Sequence, residues 1–293
     1  MLKLLAAAVL SVCPGLCWAI APYVQGESLK PAVPADVAEE VAGKLKAAGF
    51  EVLGQYFPKQ LPEHGVVVAA DPIMLNEIRS LGGANIVGAA IRVGVQSNGT
   101  VNYTNPDYWC RAYFRGQFPR AEKSVRALQE KLARTLGAGP GLGGDVPAEE
   151  LPVYRYALGM ERFDSDKGRL AEHVSFDEAV GLIRDNLDKG VARTSQVYEV
   201  VMPDEKMALF GVAMHDETRG DAAWVARLGA QAFMAALPYE VYVVDNVAYA
   251  LYGRYRIALS FPGFKTPQFM RIVSTPAEIR KMLGEVAGAK PKN

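Results

Sequence analysis

FMAALPYEVYVVDNVAYALYGRYRIALSF, residues 233–261, alternates apolar and polar positions around a short polar break at Asp245-Asn246. This is the period of a half-buried antiparallel strand pair. Residues 87–114, VGAAIRVGVQSNGTVNYTNPDYWCRAYF, echo it around Asn98-Gly99, a strong hairpin-turn signal because both residues tolerate positive φ. Laid over one another, Ala89-Ala90-Ile91 meets Ala235-Ala236-Leu237. With one residue inserted at the turn, Tyr108 meets Tyr255 and Phe114 meets Phe261. A hairpin that recurs about 147 residues later predicts a chain built twice. Along Ala248–Phe261 the pattern predicts one strand. Tyr249, Leu251, Tyr255, Ile257, Leu259 and Phe261 take its inner face, and Tyr252, Arg254 and Arg256 its outer face.

Working outward, each hairpin is preceded by matching parts. Val37, Val41 and Leu45 predict a helix capped by Asp36 and stopped by Gly49. Phe176, Val180, Ile183 and Leu187 predict its counterpart, with Ser175 and Glu178 as a capping box and Gly190 as the stop. Strand-like segments follow each helix, at 51–57 and 65–70, then at 196–202 and 207–213. Short helices come next, one capped by Asp71 with Pro72 in its first turn, the other running from Asp221 to Gly229. Each half closes with a helix, 119–136 and then one opened by a capping box at Thr275-Pro276-Ala277-Glu278. Segments 20–29 and 153–163 read as opening strands. The expected fold class is α+β, two repeated domains each with an antiparallel sheet and helices packed on one face. Their expected limits are 20–136 and 153–293.

The Gly/Pro-rich connector, 137–152, satisfies a dinucleotide-fingerprint spacing at Gly139, Gly141 and Gly144. It follows a helix and contains Pro140, whereas that fingerprint leads from strand to helix, so it is read as a linker.

Composition narrows the classes. The 293 residues suit about two domains, with 50% hydrophobic and 22% charged residues. Lys plus Arg and Asp plus Glu each number 32, so no net field draws the chain to nucleic acid or an anionic membrane. Residues 1–19 join a positive start to an apolar run broken by Pro14-Gly15 and end in Cys17-Trp18-Ala19. That pattern predicts a secretory signal cleaved after Ala19, no membrane span in the mature chain, and a periplasmic or secreted location. Cys110 is then the only cysteine left, and is read as a small core hydrophobe.

The hairpins also carry a family resemblance, through Leu237-Pro238-Tyr239-Glu240-Val241 and through Val101-Asn102-Tyr103-Thr104-Asn105-Pro106 with Tyr108. In these stretches the chain resembles the bacterial family catalogued as domain of unknown function 302, over roughly 35–136 and 175–287. The resemblance implies two copies of a domain usually found singly, with a fold like that of the TATA-binding protein, paired as a pseudo-dimer. It departs at Arg92, which stands where the second half has Pro238.

Motifs for catalysis are sparse. His64, His173 and His215 make no helical ligand pair, no Gly-x-Ser-x-Gly elbow occurs, and no cofactor is expected. The site expectation is an apolar pocket lined by Tyr103, Tyr108, Trp109, Trp224, Tyr239 and Tyr252, with Arg254 and Arg256 holding an anionic group. The expected partner is a small apolar or amphipathic ligand, or an envelope protein. The alternative is a haem- or metal-containing enzyme or redox protein using His215 and its polar neighbours.

Overall fold

A computed structural model describes residues 18–289. The expected signal segment lies outside these residues except for Trp18 and Ala19. The chain is α+β, with antiparallel sheets and helices.

The first part runs β1 (Ala19–Ile20), β2 (Tyr23–Gln25), α1 (Pro34–Ala47), β3 (Glu51–Tyr56), β4 (His64–Ala70), α2 (Pro72–Leu81), β5 (Ile91–Gln96), β6 (Val101–Thr104), α3 (Pro106–Phe114), α4 (Phe118–Leu136) and β7 (Gly141–Leu142). After β8 (Val146–Pro147) come β9 (Arg169–Glu172), α5 (Phe176–Asp188), β10 (Thr194–Met202), β11 (Met207–Met214), α6 (Asp221–Leu228), β12 (Tyr239–Val244), β13 (Val247–Tyr249), α7 (Gly253–Ser260), α8 (Thr266–Met270) and α9 (Thr275–Val286). β1 pairs with β8 in a two-stranded sheet, and the two larger sheets have the orders β3-β4-β5-β6-β2-β7 and β10-β11-β12-β13-β9. In each, the strand that opens the half pairs beside the last strand of the hairpin.

Local chemistry accounts for the helix ends. The Asp71 carboxylate accepts from the amides of Ile73 and Met74, both at 3.0 Å, and its other oxygen takes Lys131 Nζ at 2.6 Å, tying α2 to α4. Ser175 Oγ accepts from the Glu178 amide at 3.1 Å, while Glu178 reaches back to the Val174 amide at 2.6 Å, one residue further than a standard capping box. Asp36 does not cap α1. The helix starts two residues earlier at Pro34, whose fixed φ suits a first turn, and Asp36 lies inside that turn. Nor does Thr275 cap α9: Ser274 holds the cap position, and Thr275 Oγ1 accepts from Arg227 instead.

The principal correction concerns the hairpins. Their second strands stop at Thr104 and Tyr249, and the chain then turns helical as α3 and α7. The clean two-residue alternation of 248–261 is therefore coincidental. In α3 the reason is visible, since Asn105 caps the Asp107 amide and Pro106 pre-sets the first turn. Cys110 is buried as expected, but on a helix. Segment 153–163 forms turns, not a strand, and β9 opens the second sheet. The connector contributes β7, which pairs with β2 at the edge of the first sheet.

The central strands lack the solvent-facing side that alternation implied, whereas the outer strand β10 keeps it. β4, β6 and β11 are buried along all or nearly all their length, because each sheet meets the other half of the chain. The 3-10 turn Gln231–Ala236 lies on β5, and Asn102 Nδ2 donates to Ala232 O at 2.9 Å. The approach is close enough that a Cβ on Gly94 would sit 2.9 Å from the Ala235 amide nitrogen. On the other side, β3 and β10 meet where both carry a bulge, and a Cβ on Gly54 would strike Val197 O at 2.1 Å. Core side chains of both halves form one continuous apolar cluster.

Candidate functional site

The expected site residues divide between two places, because 253–260 is a helix. Residues two apart project to opposite faces of a helix when they would share one face of a strand. Arg254 therefore points outward, while Arg256 is buried in the seam between the halves.

At the seam, Arg92 of β5 and Arg256 of α7 grip one carboxylate, Glu240 of β12. Arg92 Nη1 bonds Oε1, and Arg256 Nη2 lies 3.4 Å from Oε2. Arg92 Nε also donates to Ala235 O at 3.0 Å, and Arg256 Nη2 to Ala236 O at 3.1 Å. Trp109 lies under both guanidiniums, 5.2 and 4.9 Å from its ring, and Tyr239 is 5.6 Å from Arg256. Tyr108 stands edge-on to Trp109 at 5.5 Å. All three charges are at least nine-tenths buried. Burial pushes the hydroxyls of Tyr239 and Tyr198 well above their ordinary range. Each aromatic hydroxyl or indole expected in a pocket here is already committed. Tyr108 donates to Leu259 O (2.7 Å), Tyr239 to Leu251 O (2.6 Å) and Trp109 to Pro22 O (2.8 Å). The cluster is a polar joint between the halves, and the opening beside Arg92 and Trp109, about 20 Å³, is too small for an organic ligand.

The remaining residues stand apart from it. Tyr103 donates to Gly137 O at 2.8 Å, and Trp224 faces Asp221 Oδ1 at 3.4 Å. Tyr252 is half-buried beneath Lys167 Nζ at 5.2 Å. Arg92 and Glu240 had no place in the sequence expectation as site residues. Their signal was a lone charge inside an otherwise apolar strand, IRVGV and YEVYVV, which a buried strand tolerates only when paired.

A ligand-sized apolar opening lies elsewhere. Between α7 and α9 the second half carries an insertion, 262–274, that includes α8, where the first half passes from α3 to α4 through three residues. Together with Tyr156 and Met160, this insertion encloses a cleft of about 300 Å³ lined by Ile257, Ala258, Phe269, Met270 and Val273. Tyr156 meets Phe269 edge-on at 4.9 Å and its hydroxyl lies 3.2 Å from Thr266 Oγ1. Met270 and Val273 are 60% and 62% exposed, so the apolar wall continues to the surface. Arg254 lines the same cleft, its only ion pair among the described residues a loose one with Glu161 at 3.9 Å.

His215 follows β11 and shares a 2.8 Å hydrogen bond with Ser195 Oγ, with the Tyr56 ring edge-on at 6.1 Å. Burial, followed by Lys59, lowers its pKa. Asp216 is held below the usual carboxylate range by Arg219 and by turn amides. Among the described residues no three His, Cys, Asp or Glu side chains gather as a metal site, and no helix is long and apolar enough to cross a membrane.

Comparison with known protein families, characterised proteins and solved structures finds no match to this chain.

Proposed function

We propose that this is an exported, non-catalytic binding protein whose cleft between α7, α8 and α9 takes a small apolar or amphipathic molecule. The observation that carries the reading is the cleft itself: an apolar volume at the lower end of the ligand-pocket range, open through exposed Met270 and Val273, with one guanidinium at hand. Arg254 suits a ligand with a single anionic head, its weak pairing with Glu161 being readily exchanged.

In the same proposal the chain is a fused duplication related to the domain of unknown function 302 family and to the TATA-binding-protein fold. The common strand order of the two sheets and the recurrence of helix, strand pair, helix and strand pair support it. Signal cleavage after Ala19 would leave Ile20 paired with Val146.

The test is a fluorescence titration of the purified chain with cis-parinaric acid, a polyene carboxylate, and with its methyl ester. Saturable binding of the acid, weakened by Val273→Glu and by Met270→Glu, is expected. Arg254→Gln should weaken the acid and leave the ester unchanged. Absence of saturable binding, or indifference to all three substitutions, overturns the reading. The Ser195–His215 contact favours keeping one second reading, a haem or metal protein using His215. A Soret band or bound metal in protein from its native envelope would replace the first reading with it.

A further inference from the structure

A separate groove of about 450 Å³ opens where the end of α3 meets the second sheet. Its most unusual component is Arg115. The Arg115 side chain is half-buried, with its guanidinium carbon 3.8 Å from the centroid of the Phe163 ring, yet it has no carboxylate or carbonyl partner among the described residues. Its Nη1 is fully enclosed and unbonded. A guanidinium in this position normally finds an acceptor, because burying an unpaired donor is costly. The backbone is unusual at the same residue: Arg115 has φ 51° and ψ −126°, a region that favours glycine, immediately after the last turn of α3. Gly116 follows at once, so a relaxed alternative existed one residue away.

The other walls supply complementary chemistry. Tyr242 and Tyr249 lie opposite each other on β12 and β13 with rings stacked at 5.3 Å and 19°, Tyr242 buried and Tyr249 half-buried, so Tyr249 is the aromatic surface the groove reaches. Burial raises the pKa of the Tyr242 hydroxyl, and Arg115 partly offsets that rise, which puts the guanidinium within electrostatic reach of the pair. Asp164 and Asp166 line the opening and form no ion pair among the described residues. Arg169, also in the wall, is already held by Glu172 at 2.6 Å, so it is not the free cation.

From the unpaired Arg115 guanidinium, the stacked tyrosines and the unpaired aspartates, we infer that this groove is a second binding site, for a small amino-acid-like zwitterion. The ligand's carboxylate meets the accessible side of the Arg115 guanidinium, its apolar or aromatic body lies against Tyr249, and its ammonium faces Asp164 and Asp166. A dianion is disfavoured by the two aspartates, and a simple cation leaves Arg115 unpaired.

The test is isothermal titration of the full chain with L-phenylalanine, and with benzoate and 2-phenylethylamine as its two half-ligands. L-phenylalanine is expected to bind, with each half-ligand at least about tenfold weaker. Arg115→Met should weaken L-phenylalanine by about ten- to a hundredfold, the range of a charge-assisted hydrogen-bonded pair. Arg115→Lys, which keeps the charge and loses the fork, should fall between. Parinaric acid affinity at the α7–α9 cleft should not change. If Arg115→Met does not fold, Asp164→Asn with Asp166→Asn, both at exposed positions, gives the second test: it should abolish the preference for L-phenylalanine over benzoate. No binding of L-phenylalanine, benzoate binding as tightly as L-phenylalanine, undiminished binding by Arg115→Met, or preference retained in the aspartate variant would each overturn the assignment.

Discussion

Tyr108 and Tyr255 exchange hydrogen bonds across the seam. Each is the third residue of its helix, α3 or α7, and each donates its hydroxyl to the carbonyl of the seventh residue of the other helix. Tyr108 reaches Leu259 O at 2.7 Å, and Tyr255 reaches Ala112 O at 3.4 Å. Replacing either by Phe leaves a buried carbonyl without its donor. Tyr108→Phe should cost about 1–2 kcal/mol in urea unfolding, and Tyr255→Phe less, because its bond is longer. Equal losses would show that distance does not rank the two contacts.

Glu240 is the single carboxylate between two buried guanidiniums. Glu240→Gln leaves both arginines without a countercharge and should destabilise the fold by about 3–5 kcal/mol. Adding Arg92→Met should recover part of that loss, since one uncompensated charge is then removed. A double variant no more stable than Glu240→Gln alone would assign the cost to packing.

Asp221 is fully buried on α6, accepting from the Met214 amide at 2.9 Å and the Tyr56 hydroxyl at 3.1 Å. Burial nevertheless pushes its carboxyl up to about 7. A carboxyl with a raised pKa in the folded state favours folding most below its unfolded value near 4. That advantage disappears as pH rises through about 7. This residue alone should lower stability between pH 4 and 7 by a few kcal/mol at most. Asp221→Asn, which keeps an acceptor for both donors, should flatten the slope of unfolding free energy across that interval. An unchanged slope would place the titration elsewhere.

Cys110 sits buried on α3, where desolvation, then Asp107, pushes its thiol far up. In the native protein it should not react with a disulfide reagent over hours, and in denaturant it should react stoichiometrically at once. Rapid native reaction would mean that α3 opens readily from the seam.

Much of the scaffold was legible from pattern alone. The central strand pairs 51–56 with 64–70 and 194–202 with 207–214, and the helices around them, follow from apolar periodicity and Pro, Gly and Asp signals. The third helix of each half was not, because Tyr255, Ile257, Leu259 and Phe261 are spaced by two and mimic a strand. In a helix enclosed on all sides, apolar residues need no helical stripe, and α7 contacts core around most of its circumference. The cleft was illegible for another reason: it is built from an insertion that has no counterpart to align with. The seam charges could be seen as oddities, Arg92 especially, but their pairing joins strands 148 residues apart and exists only once both sheets are assembled.

Arg92 and Glu240 are each the second residue of their strands, β5 and β12, so the strands set Arg92 level with Glu240 and not with Pro238 as the sequence overlay had it; Trp109 and Arg256 are each the fourth residue of their helices, α3 and α7. Two copies of the amino-terminal half, docked in the same way, would bring two guanidiniums together with no carboxylate between them. Two carboxy-terminal halves would lose the indole on which both arginines rest. The seam is thus completed only by unlike contributions: Arg92 and the Trp109 indole from one part of the chain, Glu240 and Arg256 from the other. The covalent connection keeps these complementary pieces at a fixed ratio of one to one.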